Sequence, residues 1–97
     1  MPTYERHARF DRDFQKLTHD QRKQFKTVLV EQFIPCLKTR EFPPALRIKR
    51  VQCTRGVWEM TWAPDGRATF EYGEEKVPGE PHIIWRRVGT HSIFTRP

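Results

Sequence analysis

At 97 residues, 36% of them hydrophobic and 12% aromatic, the chain has enough material for one domain, residues 1–97, with large rings supplying much of a modest core. No apolar run approaches the ~20 residues that cross a bilayer, the N-terminus is polar, and Cys36 and Cys53 form neither a CxxC motif nor a disulfide framework. The expectation is a cytoplasmic protein with two reduced thiols, no signal peptide and no membrane partner. The net charge of +6 is unevenly spread: residues 38–55 carry six basic groups against Glu41 alone, whereas residues 56–80 carry two basic groups against six acidic ones. A basic stretch of this kind suits a polyanion such as nucleic acid, or is an ordinary solvated surface.

In chain order, Met1 to Arg9 alternates weakly through Tyr4, Arg6 and Ala8, which predicts an edge strand. Phe10, Phe14 and Leu17 recur at i, i+4 and i+7, the spacing of a short amphipathic helix over Phe10 to Leu17. Thr18 and Gln21 form a capping-box pair that opens a second helix, with Phe25, Val28, Leu29 and Phe33 on one stripe. Pro35 lacks a donor and clashes with the preceding turn, so that helix ends or kinks near Ile34. Phe42-Pro43-Pro44 is a stiff connector. Leu46 to Val51 then alternates apolar with basic side chains as a short strand or extended loop.

Val57 to Gly73 reads as a β-hairpin about Ala63-Pro64-Asp65-Gly66, with proline presetting one turn position and glycine supplying a left-handed one. A three-residue loop over Pro64 to Gly66 pairs Ala63 with Arg67, Trp62 with Ala68, Met60 with Phe70 and Trp58 with Tyr72. One face is then an aromatic wall. The other carries Thr61 opposite Thr69, Glu59 opposite Glu71, and Arg67. After the polar turn of Gly73 to Pro81, His82 to Val88 forms the last strand, with Ile84, Arg86 and Val88 on one face, Ile83, Trp85 and Arg87 on the other, and Gly89 breaking it. The fold class is α+β: two N-terminal helices cover one face of a small, mostly antiparallel sheet and leave a charged face open.

Gly-rich phosphate loops, GxSxG elbows and HExxH are absent, and the four histidines are scattered. A zinc site from Cys53, His82 and His91 lacks the ligand spacing of such sites, so no metal and no small-molecule cofactor are expected. The open face is the better candidate. Glu59, Glu71, Arg67 and Arg86 or Arg87 form either a structural ion-pair network or a guanidinium aimed at phosphate beside a carboxylate that accepts a proton. A histidine just past the last strand, here His91, has the side-chain type suited to proton donation to a leaving group; for a lone residue a surface or capping role is the commoner one.

Three segments in order, Gly56-Val57-Trp58, Gly66-Arg67-Ala68-Thr69-Phe70, and the run from Ile83 to Phe94 containing Gly89-Thr90-His91, resemble the RelE/ParE superfamily of small toxins. The likeness is strongest to the RelE-like branch of type II toxin–antitoxin pairs and extends over nearly the whole chain. The resemblance implies a ribosome-dependent mRNA endoribonuclease that needs no metal. In such enzymes the 2′-hydroxyl attacks the adjacent phosphate in line, leaving a cyclic phosphate and a 5′-hydroxyl. It also implies two partners, a cognate antitoxin protein and the ribosome with bound mRNA. By position, Arg67 matches the arginine that stabilises the pentacoordinate phosphate, and His91 matches the general acid. Phe94 matches a terminal aromatic that packs on a base, and Arg47, Lys49 and Arg50 match the basic segment that grips RNA. Arg86 and Arg87 join that binding set.

The sequence also departs from the pattern. Glu59 and Thr61 stand where some RelE-like toxins have two lysines, and Phe94 lacks the hydroxyl of a terminal tyrosine. The general base is therefore Glu59, or Lys49, or there is none and positioning dominates. Two other functions fit the same fold: a ParE-like inhibitor of a protein such as gyrase, and an inert module that binds RNA or a protein partner.

Overall fold

The apolar spacing of the first third of the chain becomes two helices, and the computed structural model shows what fixes their ends. It describes residues 2–97; Met1, the first residue of the expected edge strand, lies outside them. Strand β1 spans Thr3–Arg6 and helix α1 spans Ala8–Lys16, with Phe10 buried. Arg22 closes the end of α1 from the next helix: Nε donates to the Phe14 carbonyl at 3.0 Å and Nη2 to that of Gln15 at 2.6 Å. A cation placed there adds donors to the carbonyls of the last turn, of which that of Phe14 also accepts the Leu17 N–H, and opposes their negative pole. Helix α2, His19–Val28, opens on the reciprocal box between Thr18 and Gln21. Ahead of Pro35 the helix widens into a π turn over Leu29–Phe33 and then tightens into a 3₁₀ turn over Ile34–Cys36. The proline cannot donate a backbone hydrogen bond, and the ladder is re-paired around it.

The sheet holds five strands in the order β1-β5-β4-β3-β2, where β2 is Lys49–Arg50, β3 Trp58–Thr61, β4 Gly66–Gly73 and β5 His82–Thr90. β1 lies parallel to β5 at one edge and every other pairing is antiparallel. Both helices pack on one face, in the α+β arrangement the sequence predicts. Phe10, Phe25, Phe33, Phe70, Trp62 and Trp85 form a continuous aromatic core, with Phe33 and Phe70 edge-on at 5.1 Å between centroids. Each such buried ring contributes on the order of 2–3 kcal/mol.

Three expectations are corrected. The hairpin register is shifted by two: Trp58 faces Phe70, Met60 faces Ala68 and Thr61 faces Arg67, while Glu59 faces Thr69 rather than Glu71. Gly66 is no left-handed loop residue. It is the first residue of β4, and a Cβ there would lie 2.7 Å from ring carbons of Trp62. The glycine gives the indole room to lie over the strand. Because the shift is even, every side chain keeps its expected face.

Gly89 does not end β5; it pairs with Arg67. A bulge also interrupts the β4–β5 register, which steps from Thr69↔Arg87 to Phe70↔Trp85 and leaves Arg86 as the extra residue. Val88 thus joins Ile83 and Trp85 in the core, contrary to simple alternation.

The third correction concerns the face opposite the helices, which is partly covered. A 3₁₀ turn over His91–Thr95 buries Ile93, whose Cγ2 sits where a side chain at Gly89 would begin, 3.1 Å away. Thr69 is fully buried, and its hydroxyl donates to the carbonyl of Pro97. Arg86 Nε reaches that same carbonyl, and Arg87 Nη1 reaches the carbonyl of Arg96, each at 3.0 Å.

Candidate active site

The site lies where the β3–β4 turn meets the end of β5. Gly66 N–H donates to the Ala63 carbonyl at 3.0 Å, closing a turn with Pro64 and Asp65 at its centre. The register sets Gly66 opposite Thr90 and Arg67 opposite Gly89, so the turn and the start of the C-terminal segment come together. The Arg67 guanidinium folds back over the turn: Nη1 donates to the carbonyls of Gly66 at 2.9 Å, Pro64 at 3.3 Å and Ala63 at 3.4 Å. Among the described residues no hydrogen bond engages its Nε or Nη2, so one donor edge of the fork is left for a ligand.

His91 is exposed, and its Nδ1 lies 2.7 Å from Asp65 Oδ1. With the carboxylate ionised, Nδ1 carries the proton and Nε2 is the ring atom that can exchange one with a ligand. The hydrogen bond from His91 holds the Asp65 carboxyl below its ordinary range against the opposing effect of desolvation, and the charges of His91 and Arg67 add to it in the same direction. Asp65 thus pairs with one of the residues the sequence nominates and feels the charge of the other. Sequence reading missed it because an Asp between Pro and Gly is fully accounted for as a turn former. The only signal available was that the turn falls one position before Arg67.

Glu59 shares the open face with Arg67. They are diagonal neighbours on β3 and β4, with Cα atoms about 7–8 Å apart in such pairs. Of the ion-pair alternative the structure shows two separate pairs rather than one network: Glu59 with Lys49 at 3.6 Å across β2–β3, and Glu71 with Arg86 at 2.8 Å. Arg47 comes close to the site. A groove of about 500 Å³ between α2 and the hairpin is lined by Gln24, Val28, Arg47, Trp62 and Arg67 among others. Lys49 and Arg50 continue the exposed basic surface along β2.

The remaining nominated residues are placed differently. Arg87 makes a two-pronged pair with Asp13 of α1, and Asp13 Oδ2 also accepts Val88 N–H on the stretch of β5 that β1 does not reach. Arg86 is held between Glu71 and Pro97, and Phe94 is half-buried in the C-terminal turn. His82, one of the three conceived zinc ligands, is buried at the far end of β5 from His91, with Nδ1 2.7 Å from the Thr3 hydroxyl, so the set Cys53, His82 and His91 does not gather.

The same arrangement of helices and strands recurs in solved structures. The RelBE toxin–antitoxin complex of Escherichia coli aligns with a TM-score of 0.63 and 18% identity over 93% of this chain and 96% of that one. The chain has the RelE-like fold. YafQ from E. coli aligns at 0.60 and 15% identity over 95% of this chain and 96% of that one. HP0892 from Helicobacter pylori aligns at 0.58 and 19% over 95% and 97%. No family profile and no curated protein matches the sequence. At these identities the RelE-like likeness is one of architecture, and it covers 93–95% of the chain.

Proposed function

We propose that this chain is the toxin of a type II toxin–antitoxin pair and cleaves mRNA on the ribosome. The observation that carries the reading is the convergence of Arg67, Asp65 and His91 at one end of a sheet whose fold is that of RelE-like toxins. Structures of that fold include the DinJ–YafQ and RelBE toxin–antitoxin complexes. A cognate antitoxin is accordingly a proposed partner, alongside the ribosome and its mRNA.

The chemistry assigned to the site is in-line attack of a ribose 2′-hydroxyl on the adjacent phosphate. The 2′-oxygen bonds to phosphorus as the bond to the 5′-oxygen breaks, giving a cyclic phosphate and a 5′-hydroxyl. The open edge of the Arg67 guanidinium stabilises charge on the phosphoryl oxygens. His91 supplies the proton to the departing 5′-oxygen from Nε2, with Asp65 holding the ring in the required tautomer. Glu59 is the carboxylate on the same face that takes the 2′-hydroxyl proton, and its pairing with Lys49 must loosen for it to do so. Arg47, Lys49 and Arg50 hold the RNA backbone, Phe94 packs on a base, and Arg86 and Arg87 fix the segment that carries His91 and Phe94.

A translation extract programmed with a defined mRNA tests this. Discrete cleavage is expected with the wild type, and Arg67→Ala and His91→Ala should each reduce it by roughly a hundredfold or more while their circular dichroism stays native. Undiminished cleavage by both variants overturns the assignment. Supercoiling inhibition without RNA damage instead indicates action on a protein target.

A further inference from the structure

The connector between the helices and the sheet builds a second pocket, on the helix side of the sheet beyond the end of the core. It holds about 390 Å³ and is lined by Arg40, Phe42, Arg47, Trp58 and Tyr72 among others. Trp58 and Tyr72 meet edge to face at 5.9 Å, and the Arg40 guanidinium lies 3.8 Å over the Tyr72 ring. Burial pushes the Tyr72 phenol up while the Arg40 charge pulls it down, so the ring stays neutral beneath the cation. Among the described residues no carboxylate pairs with Arg40 or Arg47. Both are exposed, and both hold left-handed backbone, with φ of 57° and 46°, a region that ordinary side chains avoid.

We infer that this pocket is a nucleotide subsite, in which an RNA base stacks on the guanidinium shelf that Arg40 forms over Tyr72 while Arg47 takes the neighbouring phosphate. Unpaired bases in single-stranded RNA are recognised by stacking on aromatic rings or on the planes of arginine guanidiniums. Here the two are layered, and the outer layer is the arginine. The surrounding chain carries the right charge, because residues 38–55 hold six of the eighteen basic side chains and one acidic residue. Arg47 supplies the continuity. It lines both this pocket and the groove that contains Arg67, so a strand passing the candidate active site can run across Arg47 onto the shelf. The subsite rests on the reading of the chain as an RNA-binding enzyme, and it assigns recognition of a second nucleotide, away from the one that is cut.

The test uses a 2′-O-methyl hexa-adenylate, which binds but cannot be cleaved by its own 2′-oxygen, and an abasic phosphate chain of the same length. Arg40→Gly removes the shelf at a position whose backbone suits glycine, so the variant should fold; Tyr72→Leu removes the ring beneath. The wild type should prefer the adenylate over the abasic chain by roughly tenfold, with quenching of tryptophan fluorescence, and both variants should erase that preference. The inference is overturned if the wild type shows no preference, or if either variant keeps it. This binding measurement is independent of the translation-extract assay. Cleavage that survives loss of Arg67 and His91 sinks the catalytic assignment and leaves the subsite standing, whereas an unaltered base preference in Arg40→Gly sinks the subsite alone.

Discussion

The Asp65–His91 contact joins two exposed side chains from segments 26 residues apart, and exposed pairs contribute little to stability. Its value is orientation: a carboxylate on one ring nitrogen decides which atom of the imidazole faces a ligand. The sign of its pH dependence follows from the lowered Asp65 pKa. A depressed carboxyl stabilises the folded state above its unfolded value, and that contribution is lost as pH falls through the folded one. An NMR titration of the Asp65 side chain should therefore give a midpoint below the ordinary aspartate range, returning towards it in His91→Ala. A midpoint unmoved by that substitution means the pair is absent in solution. Arg67 and His91 stood out in the sequence because their chemistry did. Asp65 did not, because its turn-forming role explained it completely, and only the three-strand register brings the turn up to β5.

Elements were legible where a local rule acts alone. The Thr18–Gln21 box, the stripe through Phe25 and Phe33, and the disruption before Pro35 each depend on residues within a few positions, and each is present. The hairpin register was less legible because turn chemistry and packing disagree about Gly66. Turn statistics assign it a left-handed loop position, whereas the Trp62 ring needs its missing Cβ. Packing wins. Gly66→Ala should accordingly destabilise the domain by about 1–3 kcal/mol through overpacking, read as a lower midpoint in urea unfolding with a changed near-ultraviolet tryptophan signal. A stability equal to the wild type would mean the indole does not rest on this strand. The β5 bulge had no comparable local signal: Arg86 and Arg87 are identical residues side by side, and nothing in their sequence says which one the ladder skips.

At the scale of the molecule, Asp13 and Arg87 connect three parts of the fold: α1, β5 and the C-terminal segment. Asp13 belongs to α1 and accepts Val88 N–H from β5, while Arg87 donates to the Arg96 carbonyl of the C-terminal segment. The side chains are only 11% and 20% exposed, so removing one partner strands the other in a poorly solvated place. Asp13→Ala should cost about 3 kcal/mol in urea unfolding, against under about 1 kcal/mol for Asp11→Ala, whose pair with Arg6 is half exposed. The comparison also separates two roles for Arg87. If its guanidinium met RNA directly, removing the anion that neutralises it would strengthen RNA binding. If it acts by anchoring the segment that carries His91, Asp13→Ala and Arg87→Ala should lose cleavage together, under conditions where both remain folded. Parallel loss in the translation extract supports anchoring; enhanced cleavage by Asp13→Ala overturns it and returns Arg87 to the RNA-binding surface.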